Sequence, residues 1–227
     1  GGFRVGPLYA VGNLMVVTGM SAEYGYSTLD ISDPKNPSLI STLRRGLSKF
    51  YATTFNGNRL IASVRGAGAH MTVHDTTNPR ALTLVDDSVV IDEQLYAATQ
   101  DHYVFQGCQQ EIVKVDVGTP GDYRVVGRGS LHVDQSDHGQ VTPMANLVFV
   151  GNDHGSGSGL FVHDREPDTA APAVNMVHPA DGAVLQATTS RVGITFTDSV
   201  EPYSVNETTC GVRPVGQAAA MAGGYAV

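Results

Sequence analysis

Four short stretches decide the fold: Gly12-Asn13-Leu14-Met15-Val16-Val17, Gly57-Asn58-Arg59-Leu60-Ile61, Asp101-His102-Tyr103-Val104-Phe105 and Ala145-Asn146-Leu147-Val148-Phe149. Each is a tight turn followed by an apolar strand suited to burial on both faces. The second turn residue falls at 13, 58, 102 and 146, so the spacings are 45, 44 and 44. A fixed period of this size marks a repeat architecture. Asn and Gly suit the reversal because they tolerate positive φ.

A second anchor follows each turn: a strand ending in Asp, with Pro soon after. The copies are Thr28-Leu29-Asp30 with Pro34, Val73-His74-Asp75 with Pro79, Lys114-Val115-Asp116 with Pro120, and Val162-His163-Asp164 with Pro167. Pro stops a strand because it cannot donate to the ladder. First strands are expected near Tyr9, Tyr51, Tyr96 and Gln140, and fourth strands at 39–43, 81–85 and from 124 onward. Four antiparallel strands in about 44 residues make one propeller blade. The expected fold class is therefore all-β, with about four four-stranded antiparallel sheets as β-propeller blades of a larger ring. After Asp164 no apolar fourth strand comes in place, so these read as the last blades, with two to four earlier ones upstream; a complete four-blade ring is the alternative. The opening Gly1-Gly2-Phe3, without Met or signal peptide, fits a natural N-terminus lying further upstream.

Composition agrees with short strands and many turns. Hydrophobic residues make up 41% of the 227 residues and charged ones 16%, with Gly 26 and Pro 11. The net charge of -8 argues against a nucleic-acid partner, because an acidic chain repels phosphate. No run of about 18 apolar residues exists to span a membrane. Cys108 and Cys210 are expected as isolated buried thiols in different domains rather than a bridge.

The stretch 167–172 reads as a linker. Beyond it, Val192, Ile194 and Phe196 alternate with Gly193 and Thr195, which predicts a strand with one buried face. The domain organisation expected is blades over 1–167 and a second unit over 168–227.

The residues support two resemblances. Ser27-Thr28-Leu29-Asp30-Ile31-Ser32-Asp33-Pro34-Lys35-Asn36-Pro37 resembles the LVIVD repeat, and His74-Asp75-Thr76-Thr77-Asn78-Pro79 is similar to it. The later copies lack the Asn-Pro pair. The resemblance implies a secreted or surface-attached bacterial propeller and no defined reaction. Residues 172–216, with Val174-Asn175-Met176-Val177-His178-Pro179-Ala180-Asp181-Gly182-Ala183 and Ile194-Thr195-Phe196-Thr197-Asp198, resemble a bacterial Ig-like domain. A whole sandwich of that kind needs seven strands and about 80 to 100 residues, so a partial Ig-like β-sandwich is expected. Such modules act as spacers or adhesive stalks.

Two loops could carry chemistry. One is His132-Val133-Asp134-Gln135-Ser136-Asp137-His138, between blades 3 and 4; the other is Asn152-Asp153-His154, between the second and third strands of blade 4. In a blade these two loops share one end. Together they offer His132, Asp134, Asp137, His138, Asp153 and His154 as metal candidates. Imidazole with carboxylate suits a transition metal, and carboxylate with carbonyl suits Ca²⁺; polar turn chemistry is the competing explanation. No cofactor is certain, and no Ser-His-Asp order stands out. The Gly155 to Gly159 string is followed by no helix, so it is no nucleotide site. His70 and His74 read as structural, and the recurring tyrosines as packing rather than a sugar platform. Asn206-Glu207-Thr208 matches a glycosylation acceptor of little weight here.

The sequence thus favours a secreted or cell-surface bacterial scaffold, a non-enzymatic binding or adhesion module for a protein or carbohydrate ligand. The alternative is a propeller enzyme acting on polysaccharide or using a metal at the channel face. Fold alone does not choose between them.

Overall fold

A computed structural model describes residues 5–19, 25–43, 49–65, 70–78, 80–91, 94–108, 111–130, 138–152, 158–166, 169–178, 181, 192–198, 200, 202–206 and 208–219. Blade 1 is β1 (Val5–Val11), β2 (Leu14–Gly19), β3 (Tyr26–Asp30) and β4 (Ser38–Leu43). Blade 2 is β5 (Lys49–Asn56), β6 (Arg59–Arg65), β7 (His70–Asp75) and β8 (Thr83–Asp86). Blade 3 is β9 (Gln94–Gln100), β10 (Tyr103–Cys108), β11 (Ile112–Asp116) and β12 (Arg124–Gly129). Among the described residues blade 4 has three strands, β13 (His138–Met144), β14 (Leu147–Asn152) and β15 (Ser158–Val162). Each blade is an antiparallel meander with its strands in chain order. The first strands lie side by side, β1 against β5, β5 against β9 and β9 against β13, so they form the inner edge of the arc.

The repeated turn is a two-residue hairpin in every blade, closed by the pairs Val11 with Leu14, Asn56 with Arg59, Gln100 with Tyr103 and Met144 with Leu147. Gly12, Gly57, Asp101 and Ala145 occupy the first turn position at φ of 55, 60, 51 and 54°. Left-handed backbone at the first position alone is the habit of a type II′ turn. The asparagines therefore recur for another reason than positive φ. The carbonyls of Asn13, Asn58, His102 and Asn146 accept the backbone N–H of Ile31, Thr76, Val117 and His163, at 2.8 to 3.0 Å. The Asn58 amide also donates to the Thr77 hydroxyl at 3.0 Å. The second turn position thus ties the hairpin to the end of the third strand.

That end is made by the aspartate before the proline is reached. Asp30, Asp75 and Asp116 accept the N–H two residues on, from Ser32, Thr77 and Gly118, at 2.8, 2.7 and 2.9 Å. These Asx-turns divert the chain out of the sheet. Pro34 and Pro120 then sit second in β-turns closed by Asn36 N–H to Asp33 O and Asp122 N–H to Thr119 O. Blade 4 departs from the expected alignment. Asp30, Asp75 and Asp116 pair with Leu14, Arg59 and Tyr103, but the residue opposite Leu147 is Val162. Asp164 lies two residues later, and it still forms its own Asx-turn to Glu166. Among the described residues no fourth strand pairs in the blade 4 sheet.

The middle strands bury alternate residues into opposite seams. Leu60 and Ala62 join Val16 and Tyr26 between blades 1 and 2. Ile61, Met71 and Val73 join Val104, Val113 and Val115 between blades 2 and 3. Phe105 and Ile112 join Val141, Val148 and Val150 between blades 3 and 4. Period-two alternation with both faces apolar is what the near-continuous hydrophobic runs require.

Beyond the blades, β16 (Val174–His178) pairs antiparallel with β17 (Gly193–Phe196). All four residues of β17 are half-buried, so the expected one-sided alternation is not realised. β17 also lies against β1 of blade 1. Asp101 N–H donates to Thr197 O at 2.6 Å, and Asn175 abuts Gly57, where an added Cβ would lie 3.3 Å from its side chain. The ribbon is therefore seated on the turns of blades 2 and 3. Neither Cys108 nor Cys210 forms a disulfide, and Cys210 is half-buried rather than buried.

Candidate functional site

The metal candidates His132, Asp134, Asp137, Asp153 and His154 lie outside the described residues, as does the side chain of His138. What the backbone gives is their placement. His138 pairs with Asn152, so β13 begins and β14 ends on one rung at the same end of blade 4. Among the described residues no group of three or more His, Cys, Asp or Glu is placed to hold a metal ion. His70 and His74 share a face of β7, but His74 is buried edge-on against Tyr26, with ring centroids 5.2 Å apart. Asp75, the next residue along the strand, points to the other face. This set is structural. Tyr9 and Tyr96 do not hold one place in the repeat: Tyr9 pairs with Val16, whereas Tyr96 pairs with Gly107, two rungs away. Burial raises the Tyr9 phenol above its ordinary value.

A cavity with polar walls lies at the other end of blade 4, in its seam with blade 3. It holds about 270 Å³ and is lined by Gln100, Asp101, Tyr103, Asn146, His163 and Asp164 among others. Two features of the repeat build it. The left-handed turn at Ala145 aims its carbonyl into the seam, where it accepts the Gln100 amide of blade 3 at 2.8 Å and His163 Nε2 of its own blade at 2.7 Å. A carbonyl only accepts, so His163 carries its proton on Nε2 and offers Nδ1 as acceptor. Lys114 Nζ donates to that Nδ1 at 3.2 Å and to His163 O at 3.3 Å.

Lys114 also lies 3.7 Å from the centroid of the Tyr103 ring and 5.9 Å from that of Phe105. Phe105 and His163 meet edge to face with centroids 4.8 Å apart. Loss of hydration pushes the Lys114 amine below its ordinary value, while the carboxylates of Asp164, Asp116 and Asp101 oppose that shift. Burial raises the Tyr103 phenol, and the same three carboxylates raise it further. The cavity lining is thus acidic, with Asp101, Asp164 and Glu166, and Lys114 lies behind its Tyr103 and His163 walls, over the Tyr103 ring. Such a site can hold hydroxyls or a cationic group by hydrogen bonds and charge.

Sequence reasoning passed over Lys114, although a signal was present. Ile112-Val113-Lys114-Val115 is apolar except at one place, and blades 1 and 2 carry Thr28 and Val73 there. A lone charge at a position otherwise inside a seam needs a partner in the next blade.

Residues 168–227 match the family model described as a bacterial Ig-like domain. No curated protein matches the chain. Among solved structures, the chain is similar to the computationally designed Ika8 protein, with TM-score 0.54 and 17% identity, covering 85% of this chain and 58% of that one. It is also similar to the β-propeller domain of Myceliophteria thermophila Cps50 (Swd1), with TM-score 0.53 and 9% identity, covering 73% of this chain and 59% of that one. The chain therefore spans less than two thirds of the length of either. Among the described residues no helix is long and apolar enough to cross a membrane. At such identities the likeness speaks for fold alone: this is an all-β chain of propeller-like blades followed by a segment similar to a bacterial Ig-like domain.

Proposed function

We propose that this chain is a non-enzymatic interaction module of a secreted or cell-surface bacterial protein, with LVIVD-type blades over 1–167 and an Ig-like module over 168–227. Its ligand is a protein or a carbohydrate at the cell surface. The observation that carries this is the bacterial Ig-like match at 168–227, a module type suited to surface proteins, seated on the turns of blades 2 and 3. The polar groups of the blades support it further. The repeated Asp and Asn side chains hold turns and seams, and the polar cavity beside blade 4 has hydrogen-bonding groups without a paired nucleophile and base.

Cosedimentation of the purified chain with bacterial cell-wall sacculi and with isolated surface polysaccharides tests this. Saturable retention without release of reducing sugar or peptide is the expected result. Release of soluble fragments would replace the module with an enzyme, and failure to bind any of these surfaces would remove the surface role.

One observation favours the second reading, a metal-dependent propeller enzyme: the pairing of His138 with Asn152 starts both His/Asp loops at one end. Metal analysis of the chain with His138→Ala and Asp153→Ala separates the two. Stoichiometric Ca²⁺ or transition metal that both substitutions abolish supports the enzyme, and a metal-free chain leaves the module.

A further inference from the structure

Asp101 joins four parts of the molecule. Its carbonyl accepts the Asn56 amide of blade 2 at 2.8 Å. Its N–H donates to Thr197 O of the ribbon at 2.6 Å. It lines the polar cavity between blades 3 and 4. It also turns blade 3 at a φ of 51°, where blades 1 and 2 use glycine.

From this point the ribbon crosses three blades. Thr197 N–H donates to Ala173 O at 2.8 Å, and Ala173 N–H donates to the Thr197 hydroxyl at 2.9 Å. This end of the ribbon therefore stands on the turn of blade 3. Two residues on, Asn175 abuts Gly57 in the turn of blade 2. β17 then reaches β1 of blade 1. On the other side of Ala173, Thr169 and Ala170 form a wall of the cavity. The chain leaving blade 4 thus passes the cavity, grips blade 3 and runs back over blades 2 and 1.

The grip differs in kind from the seams. Each seam is an apolar cluster of buried side chains, and among the described residues none of the three clusters includes a ribbon residue. The ribbon is held by a backbone hydrogen bond and by close packing on a turn. A contact with so little buried apolar surface opens before the blades part.

We infer that the linker and ribbon form a releasable strap. Docked, the strap fixes the Ig-like segment to the blades and holds the wall of Thr169 and Ala170 at the cavity. Released, it frees the Asp101 N–H, carries that wall away and widens the cavity beside Tyr103 and Asp164. A ligand that needs the wider cavity binds the released state alone and draws the strap off.

Amide exchange and tyrosine nitration of the full chain test it. Asn175→Trp puts a large ring where the turn at Gly57 leaves room for an asparagine, and it alters no blade residue. In the parent the Asp101 N–H should exchange slowly. In Asn175→Trp that exchange, and nitration of Tyr103 by tetranitromethane, should each rise by on the order of tenfold, the effect of losing about one hydrogen bond. Amides within β10 and β11 should keep the parent's rates. Thr197→Val removes the hydroxyl that accepts the Ala173 N–H. It should act in the same direction by less, and it serves if the larger side chain disturbs folding. Asn175→Ala keeps the space and should leave both rates near the parent's. An Asp101 N–H that exchanges in the parent as fast as in an unstructured peptide overturns the docking. Unchanged rates in both Asn175→Trp and Thr197→Val overturn it too. Faster exchange without faster nitration overturns the link to the cavity. Loss of protection through β10 and β11 in step with Asp101 overturns release as a separate event, because ribbon and blades then open together.

Discussion

The seam between blades 2 and 3 and the seam between blades 3 and 4 use the same repeat positions with different chemistry. The first is filled by Ile61, Met71, Val73, Val104, Val113 and Val115, all fully buried. The second sets Phe105 against Val141, Val148 and Val150, and adds Lys114, Tyr103 and His163 at its rim. Both carry one further device at a matching position. Asn56 donates its amide to Asp101 O at 2.8 Å, and Gln100, the residue before the next turn, donates to Ala145 O at 2.8 Å. An apolar seam sets how strongly blades adhere, because burial is non-directional. The amide link fixes height and register, because a hydrogen bond is directional. Blade 1 carries Val11 at this position, which has no amide to donate.

The largest effects should come from emptying each seam. Ile61→Ala should cost about 3 kcal/mol and Phe105→Ala about 4 kcal/mol in chemical denaturation, within the range for such truncations. Phe105→Ala should exceed Ile61→Ala because the ring also backs Lys114 and His163. Equal costs would mean that the rim adds nothing. Gly129→Ala comes next. A Cβ there would stand 2.5 Å from the Phe161 ring of blade 4 and 3.2 Å from Ile112, so ring and strand must part. A loss of about 2 kcal/mol is expected from such overpacking, read as a lower midpoint at unchanged slope. Gly127→Ala, in ordinary contact with Lys114, is the control and should be nearly silent by comparison.

The two amide links should weigh less and nearly equally. Asn56→Ala and Gln100→Ala should each cost about 1 kcal/mol, the net worth of a hydrogen bond. Their separation in the chain predicts additivity in the double variant. If Gln100→Ala costs much more than Asn56→Ala, the His163 bond to the same carbonyl depends on it.

Most of this framework was legible. The 44-residue period is visible because Gly, Asn or Asp must hold the reversal, and the apolar runs recur because both faces of each middle strand are covered. The roles within the turn were less legible. Composition points to Asn as the residue of positive φ, but the left-handed place belongs to the residue before it, and Asp101 and Ala145 occupy it without being glycine. The slip at Asp164 was hidden for a different reason. Chain spacing counts the loop between β14 and β15 along with the strand, and only the rung opposite Leu147 reveals that Val162 has the aspartate's place. The seam site was legible only as one charge in an apolar strand. Its hydrogen-bond partner, His163, comes from another blade, and no local pattern names it. The His/Asp loops singled out by composition fall outside the described residues, except for the pairing that starts them together.

Ala145 offers a smaller and opposite effect. A left-handed non-glycine residue carries strain of roughly 1 to 2 kcal/mol. Ala145→Gly should therefore stabilise, by about 0.5 kcal/mol after the added freedom of the unfolded glycine is subtracted. Gly57→Ala, with φ of 60° and Asn175 close by, should do the reverse and by more.

The smallest effect is the most specific to the polar seam. The folded Lys114 amine lies below its ordinary value because burial strips its hydration, whereas in the unfolded chain it returns to that value. Between the two, the unfolded chain holds a proton that the folded chain has released, so unfolding takes up a proton and stability rises with pH. Below the folded value both forms are charged and the desolvation penalty is present in full. Tyr103 acts in the opposite sense at higher pH, since its raised phenol makes the folded chain the one that keeps its proton. Subtracting the stability of Lys114→Met from that of the parent cancels most of the tyrosine contribution. The difference should favour Met near neutral pH and shrink as pH climbs through the window just below the ordinary lysine value. The seam between blades 2 and 3 has Val73 at this place. Val73→Met should show no such slope, and a slope there equal to that at Lys114 would mean that the amine is not its source.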